Sequence, residues 1–462
     1  MKNKLLITLL SITLLIADDN FISWQKQEVE AFQIFQSDED QAFIKYLKEW
    51  EWYQKGESPT LYSKPKPQKQ PIKEPLSIQK QPLIIDKVKP IVQDLPTIYK
   101  LTLPINYQRV DIDFFGNYLS FSYSQKMNLS LTKVSTKSIS KFWKQITQQN
   151  YQVLIDRIKR YQEKYQLNGW ATYLLIDKLS QQISQNFNTQ TLLKWFFLIK
   201  MGIDAKVGVS QEEVVLMVHA QHLIYATQYF TLNNKRYFVL DSSLPTSQLQ
   251  IYKGGNSNLL ALSFMGQPLL QQRIKSKILH FTFKEKTYAI SFYYNQNLID
   301  FYQTYPQIPY NYYTSMSLSS QSKHSIKKTL QAIVEPMNQL NALNFLLRLT
   351  QNSFKYKRDH AQFGKEKVMF FEETLAYPYS DCEDRAIFFS HLVKELLHLD
   401  MVLIKYPNHL ATAINLSSPL IGGKKFIYNN KQYTIADPTY SNANIGQEMP
   451  KLIGTKVKII EP

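Results

Sequence analysis

The chain has 462 residues, of which 44% are hydrophobic and 13% aromatic, and these values predict globular domains with buried cores. The formal net charge is +17, yet no nucleic-acid-binding motif accompanies it, so the basic charge indicates anionic envelope polymers or lipid headgroups as possible partners. The single cysteine, Cys382, excludes an internal disulfide, which leaves chemistry, intermolecular pairing or no specific role for it.

A signal peptide is predicted for residues 1–17. Lys2 and Lys4 precede a mostly apolar run that ends at Ile16, and the small residue Ala17 follows it. The apolar run is short for a bilayer span, which takes about 20 residues. We therefore expect a periplasmic or extracellular protein cleaved near Ala17, with an uncleaved anchor as the alternative and with no further membrane span.

Two segments separate the signal peptide from the globular part. Residues 18–54 carry apolar and aromatic residues at helical spacing, which predicts two short amphipathic helices. Residues 55–96 contain eight lysines and eight of the twenty prolines. This composition predicts an extended, semi-rigid linker with no core of its own.

The globular part is predicted to be α+β. Residues 97–135 form a β-rich segment, because polar and apolar residues alternate on both sides of Gly116 and Asn117, as in a hairpin. Helical patterns dominate from about residue 138 to 201. A second β-rich segment, 271–316, connects to a C-terminal domain at 317–462.

Cys382 is predicted to lie in the first turn of a helix. Ser380 and Glu383 have the spacing of a capping box, so the helix is expected to begin at Ser380. Free backbone amides and the helix dipole favour a thiolate there. Glu383 and Asp384 oppose this effect, so a nearby imidazolium is needed to hold the thiolate.

Two predicted strands carry the residues that could act together with Cys382. His409 begins one alternating strand, and Asp437 ends another. If the two strands pair antiparallel around Gly422 and Gly423, the His and Asp side chains face each other. A turn at residues 429–430 would instead give a three-strand arrangement. In either case the chain supplies a nucleophile, a base and an orienting carboxylate.

These motifs resemble the transglutaminase-like superfamily, which has a papain-like fold of cysteine acyl-transfer enzymes. Cys382 opening a helix, the His409 strand and the run Asp437-Pro438-Thr439 carry the resemblance over roughly residues 325 to 462. The runs 362–366 and 372–385 are similar to a bacterial extracytoplasmic branch.

The resemblance implies a helix carrying the cysteine, packed on an antiparallel sheet. It implies Cys382 as nucleophile, His409 as base and Asp437 as orienting residue. The backbone amide of Cys382 is one expected oxyanion donor, and Tyr379 or Tyr377 is a candidate for the second.

An internal repeat is indicated by residues 233–241, which mirror residues 429–437 at an offset of 196. At this offset Cys382 corresponds to Asn186. Residues 136–270 are therefore predicted to form a degenerate copy of the C-terminal domain, without a thiol. His219, His222 and Asp241 are then relics, parts of a binding surface, or ordinary residues.

The sequence predicts an exported cysteine hydrolase that acts on peptide or amide bonds of envelope or extracellular substrates. A protein-crosslinking transglutaminase or a deamidase is one alternative. The other is a non-catalytic envelope binding or scaffold protein in which Cys382 is a small buried hydrophobe. No cofactor or metal is predicted, because His391 and His398, seven residues apart on the cysteine helix, lack a third ligand of suitable spacing.

Overall fold

The computed structural model describes residues 106–462, except for 132, 211, 242–249, 252–257, 265 and 419. The predicted signal peptide at 1–17, the helical segment at 18–54 and the linker at 55–96 lie outside the described residues. Within the described residues, no helix is both long and apolar enough to cross a membrane.

The first half of the described chain runs from a β-hairpin through four helices to a sheet. In chain order its elements are β1 (Tyr107–Phe114), β2 (Asn117–Ser124), α1 (Thr136–Thr147), α2 (Gln152–Lys164), α3 (Gly169–Ile183), α4 (Phe187–Lys200), β3 (Ala205–Ser210), β4 (Glu213–His219), β5 (Tyr229–Leu232), β6 (Lys235–Asp241) and β7 (Gln250–Ile251). The predicted hairpin is confirmed, but its turn is formed by Phe115 and Gly116, both with positive φ, one residue earlier than expected.

The second half again runs from a hairpin through helices to a sheet. Its elements are β8 (Ile274–Phe283), β9 (Lys286–Asn295), α5 (Gln296–Gln303), α6 (Tyr310–Ser315), α7 (Ser320–Ile326), a π-helical turn (Lys327–Gln331), α8 (Ala332–Val334), α9 (Gln339–Ser353), β10 (Lys355–Tyr356), α10 (Asp359–Phe363), α11 (Phe371–Ala376), β11 (Tyr379–Ser380), α12 (Cys382–Leu397), β12 (Met401–Tyr406), β13 (His409–Asn415), β14 (Lys425–Tyr428), β15 (Lys431–Ala436) and β16 (Lys458–Ile460). The predicted α+β class is confirmed, with curled antiparallel sheets.

The two five-stranded sheets have the same strand order. The first is β5-β6-β4-β3-β7, and the second is β14-β15-β13-β12-β16. Four of the five strand pairs start 196 residues apart, as Ala205 and Met401 do. The hairpins β5–β6 and β14–β15 turn at equivalent Asn-Asn pairs with positive φ. The two halves therefore repeat one succession of hairpin, helices and sheet.

One ion pair also occurs in both halves at equivalent positions. Lys235 lies 3.4 Å from Asp204 in the first half, and Lys431 pairs with Asp400 in the second. The Asp204 carboxylate is buried, whereas that of Asp400 is exposed. The repeat thus extends from the backbone to side-chain contacts, while the surroundings of those contacts differ.

The sheet of the second half holds the predicted histidine and aspartate strands as direct neighbours. The strand β13 pairs with β15, and Thr412 lies opposite Ala436, so His409 is two residues from the position opposite Asp437. The predicted turn at 429–430 is also present and adds β14 at the sheet edge. Asn429 Nδ2 donates to Glu461 Oε1 at 2.7 Å, which joins the two ends of the curled sheet.

The helix α12 packs against β13 and begins at Cys382, not at Ser380 as the sequence suggested. Ser380 belongs instead to β11, where it pairs with Tyr356, and its hydroxyl accepts a hydrogen bond from Arg385 Nε at 3.1 Å. Asp381 is the N-cap residue, and its backbone amide donates to Asp384 Oδ2 at 3.1 Å. Tertiary pairing of Ser380 therefore overrides the local capping pattern.

Phe345 anchors the β8–β9 hairpin on α9. The ring is fully buried and contacts Phe281, Phe283 and Tyr288 with centroid separations of 5.1, 5.5 and 5.0 Å. We expect Phe345→Ala to lower the free energy of unfolding by about 3–5 kcal/mol, because the lost contacts leave a cavity. Chemical denaturation measures this change. Ile427→Ala, at a side chain that is 76% exposed, is the control and should change stability by less than about 0.5 kcal/mol.

Candidate active site

Cys382 lies at the start of α12, where helix and sheet meet. The thiol is free, and the residue is only 1% exposed. The helix α12 packs against β13, the strand that begins at His409. The structure therefore places the cysteine helix beside the strand that carries His409.

His409 and Asp437 form a buried hydrogen bond, with 2.8 Å between Nε2 and Oδ2. Because a carboxylate only accepts hydrogen bonds, His409 Nε2 carries the proton of this bond. The other carboxylate oxygen, Asp437 Oδ1, accepts from the backbone amides of Thr439 and Tyr440 at 2.9 and 3.1 Å. The aspartate is thus fixed, and His409 Nδ1 is left as the ring atom that can take up a proton.

The thiol of Cys382 donates its hydrogen bond to Glu383 Oε2, at 3.0 Å. Burial raises the pKa of this thiol well above its ordinary value, and the charges of Glu383 and Asp381 add to the rise. The Leu410 amide opposes the rise. In this conformation the cysteine is therefore a thiol, which differs from the thiolate favoured by the helix start in the sequence analysis.

Three buried carboxyl groups lie next to the thiol. Ligand oxygens of Asp359, Asp381 and Glu383 are all within 4.8 Å of one another. Burial, together with the neighbouring acidic groups, raises the pKa of Asp359 to about 9 and that of Asp381 well above the usual range. Burial also raises the pKa of Asp384 to about 7. Protonation of one or more of these carboxyl groups reduces the electrostatic repulsion among them. Carboxylate oxygens are also the ligands that Ca²⁺ and Mg²⁺ prefer.

Two further tyrosines, Tyr310 and Tyr356, belong to the electrostatic surroundings of the thiol. Burial raises the phenol pKa values of Tyr310 and Tyr356, and the neighbouring acidic groups, Glu383 and Asp381 among them, add to the rise. Lys405 Nζ lies 5.4 Å from the centroid of the Tyr310 ring. No local pattern in the sequence points to these tyrosines, because both reach the site by tertiary packing.

The two predicted oxyanion candidates lie on the approach to α12. The Tyr377 hydroxyl accepts a hydrogen bond from Gln303 Nε2 at 2.6 Å. Tyr379 belongs to β11 and has Lys357 Nζ 5.1 Å from its ring centroid. The backbone amide of Cys382 is in the first turn of α12, where helix amides have no partner within the helix.

The equivalent positions of the first half carry different chemistry. Asn186 stands where the second half has Cys382, and its side chain accepts from the Thr189 amide at 2.9 Å as a helix cap. Glu213 stands at the position of His409 and is buried. The side chain of Asp241 lies outside the described residues. Thiol and imidazole are thus both replaced in the first half.

The other histidines singled out in the sequence lie apart from the thiol. His219 Nδ1 is 3.6 Å from Asp204 Oδ2, and the His222 ring stacks on Tyr312 with a centroid separation of 3.6 Å. His391 Nε2 donates to the Tyr313 carbonyl at 2.8 Å, and burial lowers its pKa to about 4. His398 caps the end of α12 in the left-handed conformation. These contacts are structural.

The described chain is thus a mixed α+β protein in which a helix-start cysteine adjoins a histidine–aspartate pair on an antiparallel sheet. Neither the protein-family models, nor the curated proteins, nor the solved structures contain a match to it.

Proposed function

We propose that this protein is an exported cysteine hydrolase of the transglutaminase-like type that cleaves peptide or amide bonds. The observation that carries the proposal is the buried hydrogen bond between His409 and Asp437, set on the strand that meets the start of the Cys382 helix. A neutral imidazole held in one tautomer by a carboxylate is the base that thiol and hydroxyl nucleophiles require.

In the proposed reaction, His409 Nδ1 takes the proton of Cys382, and the sulfur bonds to the substrate carbonyl carbon. The Cys382 backbone amide donates to the oxyanion that forms. The carbon–nitrogen bond then breaks, and the leaving nitrogen takes the proton from Nδ1. Water attacks the resulting thioester and gives a proton to His409. The carbon–sulfur bond then breaks, the sulfur takes this proton from His409, and the acid product, the thiol and the neutral base are formed.

Before the proposed reaction starts, Glu383 holds the proton of the Cys382 thiol in a hydrogen bond. Its carboxylate accepts the thiol hydrogen bond that His409 must accept before attack. Cys382, His409 and Asp437 are at most 6% exposed, so substrate entry requires the surrounding side chains to move. The conformation described here is therefore the resting form of the proposed enzyme.

The buried thiol with its raised pKa favours a second candidate, a non-catalytic envelope binding or scaffold protein in which Cys382 only fills space. The two candidates differ in whether any product depends on the sulfur. Crosslinking and deamidation are further outcomes of the same thioester, because they differ from peptide hydrolysis only in the acceptor or in the bond that is cleaved.

The deciding experiment incubates the protein with envelope proteins and a labelled primary amine, with Cys382→Ala as the matched control. We expect new chain termini that depend on Cys382, detected by mass spectrometry, whereas Cys382-dependent hydrolysis of side-chain amides would establish a deamidase. Cys382-dependent amine on glutamine side chains would establish crosslinking instead. Identical products from the wild-type and Cys382→Ala proteins would contradict the hydrolase and support the non-catalytic binding or scaffold protein.

A further inference from the structure

Gln351, at the C-terminal end of α9, contacts the loop that carries Asp437. Its Nε2 donates to the Asp437 carbonyl oxygen at 3.0 Å and to the Ala443 carbonyl oxygen at 3.1 Å. Gln351 is 2% exposed, so both bonds form away from water. Because the amide nitrogen has two protons, these bonds use both of them and tie the two ends of the loop together.

The orientation of the Gln351 amide is also set. Arg348 Nη1 donates to Gln351 Oε1 at 2.9 Å, and the same guanidinium donates to the side chains of Asn442 and Asn444 at 3.0 and 3.1 Å. Because Oε1 accepts a hydrogen bond from Arg348, a flipped amide would place its NH2 group against the guanidinium, and both groups can only donate. The nitrogen therefore stays directed at Asp437.

A third contact connects Gln351 to the cysteine helix. Arg385 lies one turn after Cys382 on α12, and its buried guanidinium donates to the Gln351 carbonyl at 3.4 Å and to the Phe354 carbonyl at 2.8 Å. Hydrogen bonds thus run from the helix that carries the thiol, through Gln351, to the backbone of the residue that holds His409.

We infer that Gln351 is a positioning residue that sets the place of Asp437, and through it the His409 ring, relative to Cys382. The inference rests on the proposed function, to which it adds a residue that touches neither substrate nor thiol. Small displacements of a catalytic group cost large factors in rate, and supporting residues are known to act by preventing them.

The test compares Gln351→Met, which keeps the length of the side chain but removes its donors, with Thr350→Val. Thr350 is its buried neighbour and donates only to Leu346 within α9, so it is a matched control. One readout is acylation of Cys382 by a chromogenic activated ester. The other is the nitrogen and proton NMR spectrum of histidine, in which the downfield-shifted Nε2 proton of His409 reports its hydrogen bond to Asp437.

We expect Gln351→Met to slow acylation about tenfold to hundredfold and to broaden the His409 Nε2–H signal, whereas Thr350→Val leaves both unchanged. Arg348→Met is a second variant at a half-buried position in case Gln351→Met fails to fold, and it should change both readouts in the same direction, more weakly. A folded Gln351→Met protein with wild-type rate and spectrum overturns the inference. If the wild-type protein shows no Cys382-dependent acylation, the proposed function fails, and the histidine spectrum alone decides whether Gln351 positions the pair.

Discussion

Asp437→Asn is expected to reduce acylation of Cys382 by an activated ester by about 10⁴-fold. The backbone amides of Thr439 and Tyr440 donate to Oδ1, so they orient the new side chain with its carbonyl oxygen towards them. Its amide nitrogen then faces His409 Nε2 and can only donate. His409 is forced into the opposite tautomer, with the proton on Nδ1, and can no longer accept the thiol proton.

The measurement is the burst of nitrophenol released from an activated nitrophenyl ester. The amplitude of the burst is divided by the concentration of reactive thiol in each protein sample. Asp400→Asn is the control, because Asp400 is an exposed aspartate of the same half whose side chain pairs with Lys431. We expect this control to retain its burst. A full burst from Asp437→Asn would mean that the histidine tautomer does not matter and would remove His409 as the base.

Glu383→Gln is expected to speed alkylation of Cys382 by iodoacetamide at neutral pH about tenfold to hundredfold. Glu383 raises the thiol pKa, so a neutral amide at this position lowers it. Only the thiolate reacts, and below the pKa its fraction rises tenfold for each unit by which the pKa falls. The pH profile of alkylation should therefore shift towards lower pH.

The control for this change is Glu395→Gln, near the other end of the same helix, where Glu395 pairs with Lys323 at 3.6 Å. It alters the helix charge equally but lies remote from the thiol. Mass spectrometry of the alkylated peptide gives the rate for Cys382 directly. An unchanged rate for Glu383→Gln would show that access to the buried sulfur, and not its protonation, limits the reaction.

Local patterns in the sequence were sufficient for the turns and the repeat. Asn429 and Asn430 adopt the left-handed conformation that their residue type favours, and the same turn recurs at Asn233 and Asn234. The offset of 196 residues is visible in the sequence because residues 233–241 closely resemble residues 429–437. Of the two arrangements that the sequence leaves open, the three-strand one with a turn at residues 429–430 is present, and the pairing centred on Gly422 and Gly423 differs from the observed register by two residues.

Candidate site residues can be selected from the sequence only where they lie in a recognisable local context. Cys382, His409 and Asp437 stand at element ends, and the last two form the predicted pair. Asp359 and Gln351 come from segments far upstream, and only tertiary packing brings them to the site. The protonation of the thiol could not be foreseen either, because it depends on complete burial, which outweighs the helix dipole.

The packing of Phe345 bears on where the polypeptide can be cut for recombinant work. Residues 317–462 contain all three proposed reactive side chains, but a fragment with these ends lacks the β8–β9 hairpin and exposes the Phe345 ring to water. Cys382, Leu403 and Leu410 also belong to the apolar core that extends through the first half. The smallest soluble piece of this protein is therefore expected to be much larger than the segment that holds its chemistry.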